Sequence, residues 1–142
     1  PAKNLVEIAN NRGLNSIDRF WNIETANDVV AKFGMAKVIT ATNVLAHVDN
    51  LHDFVEAVKI LLQDDGLFVV EVPYLVNFIN KKEFDTVYHE HLSYLSVKPM
   101  VEFCKKFGFE IGFRPKWQDL GWAENEMMNK LRVLNDAFQK KQ

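Results

Sequence analysis

Two apolar, β-branched runs on either side of an amphipathic helix constrain this chain more than any other feature. Residues 37–42 read KVITAT and residues 67–72 read LFVVEV. Between them Leu51, Phe54, Val55, Val58, Leu61 and Leu62 recur at i, i+3, i+4 and i+7, the spacing of one helical face. A nearly continuous apolar run suits a strand covered on both faces, and such strands lie parallel with a helix crossing between them. The pattern predicts a helix capped at Asp49 or Asn50 and stopped at Gly66, then a strand closed by Pro73.

The alternation continues in both directions. Leu5, Ile8 and Ala9 predict a short helix over 2–12 with Gly13 behind it, and residues 16–21 read as a diluted strand. Thr25 followed by Asp28 resembles an N-cap with an acidic third position, ahead of Val29, Val30 and Phe33, with Gly34 as the stop. Downstream, Ser96 can cap a helix carrying Val97, Met100, Val101, Cys104 and Phe107, ended by Gly108, with a strand over 109–113. Strand and helix thus alternate from about residue 15 to 114, which predicts an α/β fold with a mostly parallel sheet. Past Pro115 the pattern changes, and Met127, Leu131, Leu134 and Phe138 predict an amphipathic helix with a Lys-rich end. The expected division is a core over 1–114 and a separate helical segment over 115–142.

The totals restrict the classes available. A chain of 142 residues, 48% hydrophobic and 25% charged, can bury one sizeable core. A net charge of -2 argues against a nucleic-acid footprint or a polybasic membrane surface. Cys104 is the single cysteine, so neither an internal disulfide nor a cysteine metal cage can form. No apolar run is long enough for a membrane helix and no signal-like start is present, so a cytoplasmic location is the expectation. The chain opens on Pro1 directly in a helical pattern, as a piece of something longer would.

The candidate chemistry lies in residues 85–95, DTVYHEHLSYL, which place His89, His91, Glu90, Tyr88 and Tyr94 within seven positions. Aromatic bodies favour burial while their polar tips need partners, so this mixture suits a site better than ordinary packing. Ligands of open α/β sheets lie beyond the carboxyl ends of the strands. That rule adds residues 43–47, after the first strand, and 71–74, after the second. His47 in the apolar NVLAHV is either a histidine bonded to backbone or part of a site, and Glu71 must be paired, protonated or facing a crevice.

His89 and His91, at i and i+2 on an extended segment, would point the same way. They could bind Zn²⁺ only with a further ligand such as His47 or His52. Neither HExxH nor a Cys-based spacing is present, and no metal is expected. Acid–base work fits better, because histidine titrates near neutrality and its neighbours set its tautomer. Cys104 on a helical face with Val101 and Phe107 reads as packing, and none of the six glycines forms GxGxxG or a P-loop.

At these residues the chain resembles a known family. Residues 38–111, with NVLAH, the EVPYL strand end and YHEHLSYL as the most specific parts, resemble the S-adenosylmethionine-dependent C-methyltransferases that act on nucleotide-linked keto-deoxysugars. The N-terminal PAKNLVEIANNRG is similar to the stretch that follows the acidic residue ending that family's second strand. The resemblance implies a partial Rossmann-like, class I methyltransferase sheet lacking its first two strands. It implies methyl transfer to a sugar carbon beside a ketone, with His91 as the base, Tyr88 and Glu90 as its supports, and His47 near the same carbon. Asn43, just past the first strand, is the expected cofactor contact.

The family's cysteine-rich zinc module, glycine-rich loop and ribose-binding acid are not found in these 142 residues. The chain is therefore expected to be a central fragment that binds S-adenosylmethionine weakly or not at all and is inactive alone. The expected partner is a nucleotide sugar, not nucleic acid or membrane. The edge of the KVITAT strand, with Val38 and Ile39, is expected to promote homo-oligomers. Two rivals remain: a non-catalytic α/β scaffold that has lost the cofactor site, and a metal-dependent hydrolase using His47, His89 and His91.

Overall fold

The computed structural model describes residues 2–110. Helix α1 (Lys3–Asn11) leads, by way of Gly13 at φ +83°, into an irregular stretch before helix α2 (Ile23–Phe33). Strand β1 (Ala36–Thr42), a short 3-10 turn (Leu45–His47), helix α3 (Leu51–Leu61) and strand β2 (Leu62–Glu71) follow. Helix α4 (Leu75–Lys81), a second 3-10 turn (Phe84–Thr86) and helix α5 (Val97–Lys105) complete the described chain.

β1 and β2 pair in parallel, with Val38 opposite Leu67 and Thr42 opposite Glu71. The βα-crossover expected from the two apolar runs is therefore present. The fold is a mixed α/β arrangement consistent with part of a class I methyltransferase sheet. The core forms where α3 lies on the sheet. Ala41, Leu45, Phe54, Val55 and Val58 are its buried centre, with Trp21, Ile39 and Phe68 packed around them. Trp21 meets Phe54 edge-on at 6.4 Å, and its indole N–H donates to the Phe54 carbonyl at 3.2 Å, which satisfies the polar tip of a half-buried ring.

Several boundaries differ from expectation. Residues 16–21 form no strand, because side chains take up the backbone groups that a ladder would need. Asn10 accepts from the Ser16 N–H and donates to the Ser16 carbonyl, while the Thr25 hydroxyl donates to the Phe20 carbonyl. Helix α2 starts earlier than Thr25. Asn22 is the N-cap, its side chain accepting from the Thr25 N–H at 2.8 Å, and Thr25 is buried in the first turn. Asn50 caps α3 as expected, through the Asp53 N–H at 3.1 Å. Ser96 occupies the N-cap of α5, without a side-chain cap bond.

Helix α3 ends at Leu61 rather than at Gly66. The register jumps from Ala36 opposite Leu62 to Val38 opposite Leu67, so residues 63–66 bulge out of β2. Gln63 donates from Nε2 to the Met35 carbonyl at 3.3 Å, and Lys37 forms an ion pair with Asp65 across the bulge. Gly66 is required by close approach, since a Cβ there would lie 2.7 Å from the Leu62 side chain and 2.8 Å from the Gln63 carbonyl oxygen. The strand expected over 109–113 and the helix containing Met127 and Phe138 fall outside the described residues.

No helix among the described residues is long and apolar enough to cross a membrane.

Candidate active site

Parallel strands bring their carboxyl ends to the same side, and there the chain leaves β1 at Asn43. This residue adopts the left-handed region at φ +54°, and its N–H donates to the Glu71 carbonyl at 2.9 Å, extending the ladder past the strand. The left-handed backbone turns the chain into the Leu45–His47 turn, which asparagine tolerates better than most residues. Leu45 and Ala46 are buried in that turn while His47 remains exposed, so a buried anchor holds an accessible imidazole.

The DTVYHEHLSYL segment comes to this turn. It is not extended at the histidines: the His91 N–H donates to the Tyr88 carbonyl at 3.1 Å, closing a tight turn over 88–91. The same-side pairing expected of His89 and His91 on a strand is therefore absent, and His89 is exposed on the turn. The N–H groups of Leu92 and Ser93 both donate to the Ala46 carbonyl, at 2.8 and 3.1 Å. The carbonyl oxygen of Glu90 accepts from Nδ1 of His47 at 2.8 Å. Further along, Tyr74 and Leu95 form a parallel bridge, with the Leu75 N–H donating to the Leu95 carbonyl at 2.9 Å.

This clasp assembles a ring cluster. The Tyr88 hydroxyl and Nε2 of His91 share a 2.8 Å hydrogen bond, and their ring centroids are 4.1 Å apart. The His47 and His91 centroids are 4.8 Å apart, and Tyr94 meets His91 edge-on at 6.0 Å. Phe78 of α4 lies 5.5 Å from Tyr94.

The candidates His47, Tyr88 and His91 are thus brought together, and Glu90 joins them through its main chain while its side chain is exposed. Tyr94, part of the sequence cluster, stands edge-on to His91, and Phe78 is a contributor absent from the sequence reading. The i, i+3, i+4 spacing of Leu75, Phe78 and Ile79 in LVNFINK is the available signal.

Other candidates lie elsewhere. His52 packs edge-on against Phe103 at 4.9 Å and near Phe107 at 5.8 Å, a packing role. Glu71 has an exposed side chain, which removes the puzzle of a carboxylate in an apolar run. Among the described residues no group of three or more His, Cys, Asp and Glu is placed to hold a metal ion, so His47, His89 and His91 do not form the ligand set a hydrolase would need. Cys104 is buried, and that burial pushes its thiol pKa up, which disfavours the thiolate a nucleophile requires. A cavity of about 190 Å³ is lined by Ile17, Arg19, Thr25, Asp28, Val29 and Lys32. Its Arg19 is already paired with Asp28 and Glu24, whose hydrogen bonds and charges raise the guanidinium pKa further.

Comparison with known proteins gives this geometry a context. A family model described as a methyltransferase domain matches residues 2–112. The C-methyltransferase NovU of Streptomyces niveus is 35% identical over 111 residues, which make up 78% of this chain and 26% of that protein. The chain thus spans about a quarter of the length of the curated relative it matches.

Proposed function

The chain belongs to the family of methyltransferase domains, and from that premise we propose that it is part of an S-adenosylmethionine-dependent C-methyltransferase acting on a nucleotide-linked keto-deoxysugar. The observation that carries the reading is the Tyr88–His91 hydrogen bond, with His47 beside it, at the carboxyl end of β1. Carbon has no lone pair to offer a methyl donor, so C-methylation needs a base that removes a proton next to a carbonyl. An imidazole held by a phenol supplies such a base at neutral pH. The C-methyltransferase relative supports the same reaction class.

The residues present fit one wall of a donor site. Asn43 and Val44 are exposed directly past β1, where open parallel sheets receive their ligands. These residues would hold S-adenosylmethionine, which when bound supplies an electrophilic methyl group. The chain's own share is proton handling. His91 takes the α-proton at Nε2, whose lone pair the Tyr88 hydroxyl yields as the substrate enters, and before that the same hydroxyl orients the ring. The turn over 88–91, clasped to Ala46, keeps both at a fixed distance from the end of β1. With no glycine-rich loop in its sequence, the 142-residue chain by itself is proposed to bind the donor weakly and to turn over little.

The test is transfer of labelled methyl from S-adenosylmethionine to a thymidine-diphosphate keto-deoxyhexose by the full-length protein. The expected result is a new carbon-bound methyl in the wild type, and a loss of about a thousandfold or more in kcat for His91→Asn with donor affinity unchanged. Turnover that survives in His91→Asn removes His91 as the base. A wild-type protein that transfers nothing favours the scaffold alternative.

A further inference from the structure

The bond between His47 and the main chain of Glu90 fixes more than a distance. A carbonyl oxygen only accepts, so the 2.8 Å bond from Nδ1 of His47 requires the proton to reside on Nδ1. A neutral imidazole has one N–H and one lone pair, and the lone pair is then on Nε2. We propose that the Glu90 carbonyl is a positioning group that holds His47 in the Nδ1–H tautomer, so that Nε2 accepts a hydrogen bond from a hydroxyl or amino group of the sugar beside the reacting carbon. This rests on the C-methyltransferase reading above and adds a substrate requirement to it: the sugar must present a donor.

The surroundings favour a lasting lock. The Glu90 carbonyl cannot swing away alone, because Leu92 and Ser93 fasten the same segment to Ala46, whose side chain is buried in the turn that carries His47. His47 itself is exposed, so a ligand can reach it. The two imidazoles, 4.8 Å apart, then do different work. His91 is paired with a phenol at Nε2, whereas His47 offers an acceptor at the corresponding atom. A neutral His47 in this tautomer cannot donate from Nε2 to a ketone oxygen, so its contact must be to a donor group. The arrangement also separates the two halves of Glu90: its carbonyl is engaged with His47 while its carboxylate is exposed.

Ring-nitrogen NMR of the full-length enzyme, recorded above the imidazole titration range, reads the tautomer directly. The His47 signals are identified by their loss in His47→Asn. A protonated Nδ1 with an unprotonated Nε2 is expected, and the opposite tautomer, which predominates in free histidine, overturns the proposal. Kinetics read the role of Nε2. Asparagine places an amide donor near the Nδ1 position and nothing at Nε2, so His47→Asn keeps the clasp and loses the acceptor. The KM for a thymidine-diphosphate keto-deoxyhexose should rise about tenfold, with donor affinity and melting temperature unchanged. His47→Gln, which carries an amide oxygen further out, should recover part of that loss. Unchanged KM in His47→Asn, with its fold intact, sinks the acceptor role and leaves His47 as a clasp. Absence of methyl transfer by the wild type sinks the C-methyltransferase reading instead, and the NMR result still decides the tautomer.

Discussion

Helix α3 and the segment 84–95 keep their shapes by opposite means. α3 buries Phe54, Val55, Ala57, Val58 and Leu61, and its position follows from the apolar area removed from water. The segment leaves Phe84 71% exposed and Val87 and Leu92 each 55% exposed. It is held by backbone hydrogen bonds to Ala46, by the His47–Glu90 bond and by the Tyr88–His91 pair. Burial is non-directional and spread over many contacts, whereas these bonds are few and directional. A scaffold suits the first kind of support. The proposed site, which would hold two imidazoles beside a substrate, suits the second.

The sharpest way to break this contrast is to delete one large aromatic from each region. Phe54 is 6% exposed and packs on Trp21, so Phe54→Ala should cost about 3–5 kcal/mol by transfer and cavity terms together. Phe84→Ala, at an exposed position, should stay within about 0.5 kcal/mol of the parent. Chemical denaturation of both variants checks the pair. A large loss in Phe84→Ala would mean that its edge-on contact with Phe78, 6.5 Å between centroids, supports the segment by packing after all.

The same contrast explains what could be read in advance. The β1–α3–β2 unit was legible because a periodic apolar face and two β-branched runs report burial directly. The turn at Asn22 was not. There, competition between Asn22 and Thr25 for the cap was settled by tertiary contacts, with Thr25 buried and bonded to the Phe20 carbonyl. The bulge over 63–66 was hidden for a similar reason: DDG reads as a helix stop, while the Leu62 side chain and Lys37 decide where the strand begins. At the site, the residue types pointed to a cluster of Tyr88, His89, Glu90, His91 and Tyr94 and left His47 open, and the family resemblance singled out His91, Tyr88, Glu90 and His47. The structure brings the rings of His47, Tyr88 and His91 together while leaving His89 exposed. Composition could not reveal that Glu90 contributes its carbonyl, because main-chain groups leave no mark in a sequence.

A second test probes the directional region without touching the scaffold. Tyr88→Phe removes the hydroxyl bonded to Nε2 of His91 and leaves a ring of almost the same shape. Tyr88 is 42% exposed, so stability should hardly change, while kcat for the proposed methyl transfer should fall about tenfold to a hundredfold. Equal losses in stability and rate would instead make the Tyr88–His91 bond part of the packing, and the two regions would differ less than they appear.

The smallest effect is expected where a directional contact meets the scaffold, at the bulge of β2. Lys37 holds the Asp65 carboxyl below the usual carboxylate range, by hydrogen bonding first and by its charge second. A carboxylate whose pKa is lowered by folding adds stability above its unfolded pKa and loses that contribution as pH falls through the lowered value. Both side chains are largely exposed, so solvent and salt screen the pair and the contribution is slight. Denaturation midpoints of the parent and Asp65→Asn should therefore differ little near neutral pH and converge in acid, with high salt closing the gap at any pH. A gap that persists in acid would show that the bulge depends on the shape of Asp65 rather than its charge. Burial of Leu62 and the close approach at Gly66 would then set the register, with no help from the ion pair.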